Sequence, residues 1–181
     1  MRRFPIRLFN AKRLAQELGR KEVSPRAFGY YLAASFLLYI PLGYCGFIHP
    51  TNPLWSWLSI YEGFAVFAIT VLGLATSYSA GGGDDNPDFV TEFICLSVPV
   101  FFTTTLIVWA VYWGISIGFR ETLEAYSYRE STNFAFIRRL YDIHADISNL
   151  LSFLAVVSIE AIGFYRMTRL FHVVRSSSPS Q

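Results

Sequence analysis

Two carboxylates stand where water is scarce. Glu62 and Glu160 each interrupt a long apolar run. An ionisable group in such a run is costly and usually faces a protein interior or a water-filled cavity. On a helix, Glu62 shares a face with Ser59, Thr70 and Gly73, and Glu160 with Asn149, Ser152 and Gly163. Small and hydroxylated residues on membrane helices mark helix–helix contacts. If the two stripes meet, Glu62, Glu160, Ser59, Asn149 and Ser152 form one polar interior. At 1.5 Å per residue the two carboxylates differ in depth by only about 8 Å. The chemistry open to them is proton exchange or cation attraction. The alternative is a pair of hydrogen-bonded carboxyls that hold helices together, and both readings stand at this stage.

Pro99 lies inside a third apolar run, where it removes the backbone bond to Cys95 and kinks a helix. Thr103, Thr104 and Thr105 follow one turn later and are placed to serve freed carbonyls. Pro99 is therefore a candidate hinge as well as a static bend. Arg166 follows Glu160 by six residues, off its face of a straight helix, and its long stem is expected to snorkel to the interface. The segment Gly81-Gly82-Gly83-Asp84-Asp85-Asn86-Pro87-Asp88 lacks the lysine of a phosphate-binding loop. Its carboxylates Asp84, Asp85 and Asp88 do not match a calcium-loop spacing. Turn chemistry and capping explain it, with Asn86 and Pro87 opening the next helix. This acidic loop is also placed to dock on the basic N-terminal arm. His144 points away from the face shared by Asp142 and Asp146, so no metal site is expected there. Cys45 and Cys95 fall near opposite faces and cannot bridge. No triad, metalloprotease or nucleotide motif occurs.

These residues must be carried by membrane helices. The chain has 181 residues, of which 53% are hydrophobic, 18% aromatic and only 15% charged. Its mean hydropathy is +0.37. Ordinary soluble domains are about 25% charged. Disordered, collagen-like and disulfide-rich secreted classes are excluded. Four blocks suffice to cross a hydrocarbon core of about 30 Å: 27–48, 54–78, 89–119 and 147–165. Backbone groups in lipid must pair internally, so the blocks read as helices. The expected fold is all-α, a polytopic four-transmembrane-helix bundle with an interfacial N-terminal helix. Residues 1–175 form one membrane domain and 176–181 a disordered tail. The short segment His49–Pro53 makes the first two spans a tight antiparallel pair. The basic N-terminus lies too far before the first span to act as a cleavable signal.

Lys and Arg crowd the segment before the first span and follow the fourth, so both termini are expected on the cytoplasmic side. All four Trp residues fall near the other face. Asn10 caps a predicted helix from Ala11 to about Glu22. Leu14 and Leu18 share its apolar face with Ala11 and Ala15. Arg13, Arg20 and Lys21 make a basic arm suited to anionic lipid. Lipid, not nucleic acid, is the nearer polyanion. Phe134, Ile137, Tyr141 and His144 recur at helical spacing, so an amphipathic helix runs into the fourth span.

Tyr30-Tyr31, Glu62-Gly63, Gly82-Gly83-Asp84 and Cys95-Leu96-Ser97-Val98-Pro99 are spread along the chain. In this layout the chain resembles small, functionally unassigned bacterial inner-membrane proteins. The resemblance implies four helices and a bacterial cytoplasmic membrane, and carries no site or activity. The expected function is non-enzymatic: an accessory or assembly subunit with a membrane-protein partner or a second copy. The alternative is a small oligomeric channel or transporter using Glu62 and Glu160. No cofactor and no metal is predicted.

Overall fold

The computed structural model describes residues 7–47, 53–129 and 134–178, with side chains described at 7–37, 60–122, 124 and 147–178. The regular elements among them are α1 (Ala11–Gly19), α2 (Pro25–Phe47), α3 (Pro53–Ala80), α4 (Phe89–Arg129) and α5 (Phe134–Ser177). A single 3-10 turn at Gly83–Asp85 separates α3 from α4. The fold is all-α, as composition and hydropathy require.

Among the described residues three stretches are long and apolar enough to cross a bilayer, not the four expected. They are Ile60–Ala80, Phe89–Thr122 and Ile147–Ser177. α2 fills the place of the remaining block as a helix, and its side chains beyond Leu37 lie outside the described residues. α4 has 41 residues and α5 has 44. Each is therefore roughly 60 Å or more in length, about twice a hydrocarbon core. α5 runs unbroken from Phe134 into its apolar stretch, as the helical spacing predicted. It also continues to Ser177, where the Ser178 N–H still donates to the Val174 carbonyl at 3.1 Å. The helix thus passes the expected tail boundary, and 179–181 lie outside the described residues. The segment 48–52, where the first interhelical turn was expected, does too.

α5 is the axis of the packing. α3 and α4 lie against it, α1 joins it near its C-terminal end, and α2 packs on α4. The expected tight pairing of the first two spans is not among the packed pairs of described residues. α3 and α5 run in the same direction: Gly73 is level with Phe164, Ser77 with Thr168 and Gly81 with Phe171. α4 runs the other way, with Phe101 on Gly163 and Phe89 on Phe171. At the end carrying the 3-10 turn, hereafter the capped end, Phe89 stacks on Phe171 and meets Tyr78 edge to face. The ring centroids are 5.1 Å and 5.0 Å apart, respectively. Among the described side chains most of the core, including Leu96, Val98, Met167 and Phe171, lies toward this end.

α1 does not rest on lipid through its apolar face, which corrects that expectation. Asn10 caps it, accepting from the Arg13 N–H at 3.1 Å. Its face of Ala11, Leu14, Ala15 and Leu18 is buried against α4 and α5. Phe9 meets Phe102 of α4 with ring centroids 5.8 Å apart. At the other end Gly19 lies on the Val174 carbonyl of α5. The short helix therefore lies along the bundle, not across its end. The reason is the small residues Ala11, Ala15 and Gly19 at four-residue spacing, which allow a helix to approach closely. The N-terminal strap is tied down as well. The Arg7 N–H donates to the Tyr31 hydroxyl at 3.0 Å, and the Arg7 guanidinium pairs with Glu17 at 2.7 Å.

A Cβ at residue 19 runs directly into the Val174 carbonyl oxygen. Gly19→Ala is expected to undock α1 at a cost of about 1–3 kcal/mol. The readout is a lower thermal midpoint in detergent and faster proteolysis between α1 and α2. Gly29→Ala, whose Cβ meets nothing within 4 Å, should neither lower the midpoint nor speed proteolysis, because alanine favours a helix interior over glycine.

Candidate functional site

Polar side chains gather at three levels along α5. The level nearest the capped end is the acidic loop. Gly82 and Gly83 adopt φ of 108° and 59°, the left-handed region that a side chain disfavours. The Asn86 amide then spans the turn, donating to the Gly81 carbonyl at 2.9 Å and to the Glu92 carboxylate at 2.8 Å. Its Oδ1 accepts from the Asp88 N–H at 3.0 Å. α4 starts at Phe89, two residues later than Asn86 and Pro87 suggested, because Asn86 closes a side-chain turn of its own. Asp84 accepts from the Tyr78 hydroxyl, and Asp88 pairs with Lys21 at 3.4 Å. The acidic loop thus touches the basic arm through one ion pair. Arg13 is exposed and reaches Glu17 at 3.5 Å, and Arg20 is exposed beside it. Among the described residues no group of His, Cys, Asp and Glu is arranged to hold a metal ion.

The second level surrounds Pro99. α4 continues through it as helix. The Thr103 hydroxyl donates to the Pro99 carbonyl at 2.7 Å, and the Thr104 hydroxyl to the Val100 carbonyl at 2.7 Å. The hydroxyls serve the turn that follows the proline, not the Cys95 carbonyl that it frees. Arg166 does not extend to the interface as expected. Its Nη1 donates to Thr103 Oγ1 at 2.9 Å and Thr104 Oγ1 at 2.8 Å. The antiparallel path of α4 places those hydroxyls within reach, and each can donate and accept at once. On the other side of α5, Thr168 lies 3.4 Å from both Thr76 and the fully buried Ser77.

The third level holds Glu160, one turn from Gly163 and Phe164. It is half-buried and makes no hydrogen bond or ion pair among the described residues. The register does not place Glu62 beside it. The level of Glu62 on α5 is that of Ser152 and Phe153, about 10 Å, or two turns, from Glu160. Asn149 lies a further turn away, and the Ser59 side chain is outside the described residues. The expected single polar interior is thus divided between two levels. At the level of Glu160 stand Thr70 of α3 and Thr105 of α4, each one turn from the residue that packs on Phe164 or Gly163. The Thr105 Oγ1 is buried without a partner. Thr70 was visible in the sequence as part of a stripe. Its grouping with Thr105 was not, because the relative direction of two helices leaves no periodic signal.

No protein-family model, curated protein or solved structure matches this chain.

Replacing both Thr103 and Thr104 by Val leaves the Arg166 guanidinium with only the distant Val100 carbonyl at 3.5 Å. Stranding a buried polar or charged donor costs about 1–3 kcal/mol or more. Arg166→Met is milder, because the hydroxyls keep their carbonyl acceptors. Thermal unfolding in detergent should therefore rank the double Val variant below Arg166→Met.

Proposed function

We propose that this chain is a non-enzymatic, multi-pass membrane protein that acts as an accessory or assembly subunit of a membrane complex. The observation that carries the reading is the contrast between the two halves of the bundle. Among the described side chains the core is concentrated toward the capped end. Beyond it α3 and α4 turn large apolar side chains outward: Phe64, Phe67 and Leu72 on one, Ile107, Val111 and Trp113 on the other. Gly63, Gly114 and Gly118 have open space where a Cβ would stand. Small residues on an uncovered membrane helix favour close approach of another helix.

In this reading α2 is a fourth span, and the even number puts both termini on the cytoplasmic side, where Lys and Arg accumulate. The membrane is a bacterial cytoplasmic membrane, by the resemblance alone. Arg13, Arg20 and Lys21 face anionic headgroups from the exposed side of α1. A second reading, a small oligomeric channel or transporter, is favoured by one observation: the unpartnered, half-buried Glu160 in an apolar stretch.

The test is the mass of the complex extracted gently with its native lipids, with every co-migrating chain identified. An unlike membrane protein at fixed stoichiometry is the expected result. A homo-oligomer alone overturns the accessory reading and favours the second. In that case Glu62→Gln and Glu160→Gln should each abolish proton or cation flux with the fold retained.

A further inference from the structure

Glu160, Thr70 and Thr105 belong to three different helices and stand at one level. On α5, Glu160 is one turn before Gly163 and Phe164. On α3, Thr70 is one turn before Gly73, which takes the Phe164 ring. On α4, which runs the opposite way, Thr105 is one turn after Phe101, which packs on Gly163. The three side chains therefore occupy the same layer of the α3–α5–α4 row. The buried Thr105 hydroxyl has no partner. The Glu160 carboxylate and the Thr70 hydroxyl have none among the described residues. A buried polar group without a partner costs about 1–3 kcal/mol, and a charged one more.

We propose that this layer is a binding site for a hard monovalent cation, with Glu160 as the counter-charge and Thr70 and Thr105 as neutral oxygen donors. The donor set chooses the class. All three donors are oxygens, which suit hard cations, and no imidazole or thiolate stands at this level to recruit a soft one. One carboxylate balances one positive charge, whereas calcium sites use several charged or carbonyl oxygens. Of the other charges on the packed elements, the ones nearest this layer are Arg166, below it and turned toward Thr103 and Thr104, and Glu62, two turns away on α3; Arg169 lies over the Tyr165 ring. Between Glu92 and Arg120, α4 carries none.

The layer has one closed side. Toward the capped end it is closed by the rings of Phe101 and Phe164, which meet edge to face at 5.5 Å and fill the space beside Gly73 and Gly163. Toward the opposite end, α3 and α4 expose Phe67, Leu106 and Ile107. The layer is proposed as a binding site and not as a conducting path. This holds whether or not the chain has a protein partner.

The experiment is thermal unfolding of the purified full-length protein in detergent, titrated with NaCl against choline chloride at constant ionic strength and pH. A ligand that binds only the folded state raises the midpoint in a saturable way. Wild type should show a saturable sodium-dependent rise. Glu160→Gln should lose it. Thr105→Val should need about tenfold more sodium, the loss of one hydrogen-bond-strength interaction, and Thr105→Ser should restore the wild-type response. A wild-type midpoint indifferent to sodium overturns the proposal, as does an unchanged response in Glu160→Gln. A midpoint that follows pH alone replaces the cation with a proton on Glu160.

Discussion

The packing of the described helices depends on close approach at glycine. In a bilayer, helices gain nothing by hiding apolar surface from lipid tails, so association relies on shape and on polar contacts. α5 meets its neighbours at positions without a side chain. Gly73 of α3 accepts the Phe164 ring, Gly163 of α5 lies under Phe101 of α4, and Gly19 of α1 rests on the Val174 carbonyl. The aromatic rings that fill these notches also connect to one another, through Phe93, Phe101 and Phe164. A Cβ at any of the three positions would push a helix away from the axis that aligns the others.

Polar groups follow from that geometry. Once α4 is held antiparallel on α5, the Thr103 and Thr104 hydroxyls come within reach of Arg166. Donors and acceptors pass from guanidinium to hydroxyl to carbonyl with each member used. A cation at this depth is tolerated because hydrogen bonds replace its hydration, not because a carboxylate neutralises it at contact distance. At the capped end one amide, that of Asn86, performs the equivalent task for the loop carbonyl and the buried Glu92. Glu160 differs from both, since its level brings hydroxyls near without a bond.

Much of the architecture was legible in the residues. Helical class followed from the length and hydropathy of the blocks. Asn10 marked the start of α1, and its side-chain oxygen accepts from the Arg13 N–H as capping predicts. The pairing of acidic loop and basic arm was readable from charge and is realised at Lys21 and Asp88. The seat of α1 was misread because its alanines and leucines suit lipid and a helix groove equally well. Only the added Gly19, one turn beyond Ala15, marks the closer option.

By itself the sequence determined what each segment is: helix, cap or turn, and which face of a helix is polar. These are local properties, set by backbone hydrogen bonding, side-chain periodicity and the few residues that accept unusual φ. The tertiary structure alone decided which polar faces meet. Glu62 and Glu160 fall two turns apart, Glu160 joins Thr70 and Thr105, and Arg166 turns to α4. Register depends on which glycine accepts which ring, a complementarity between residues some 60 to 90 positions apart. No pattern within a single helix can encode it.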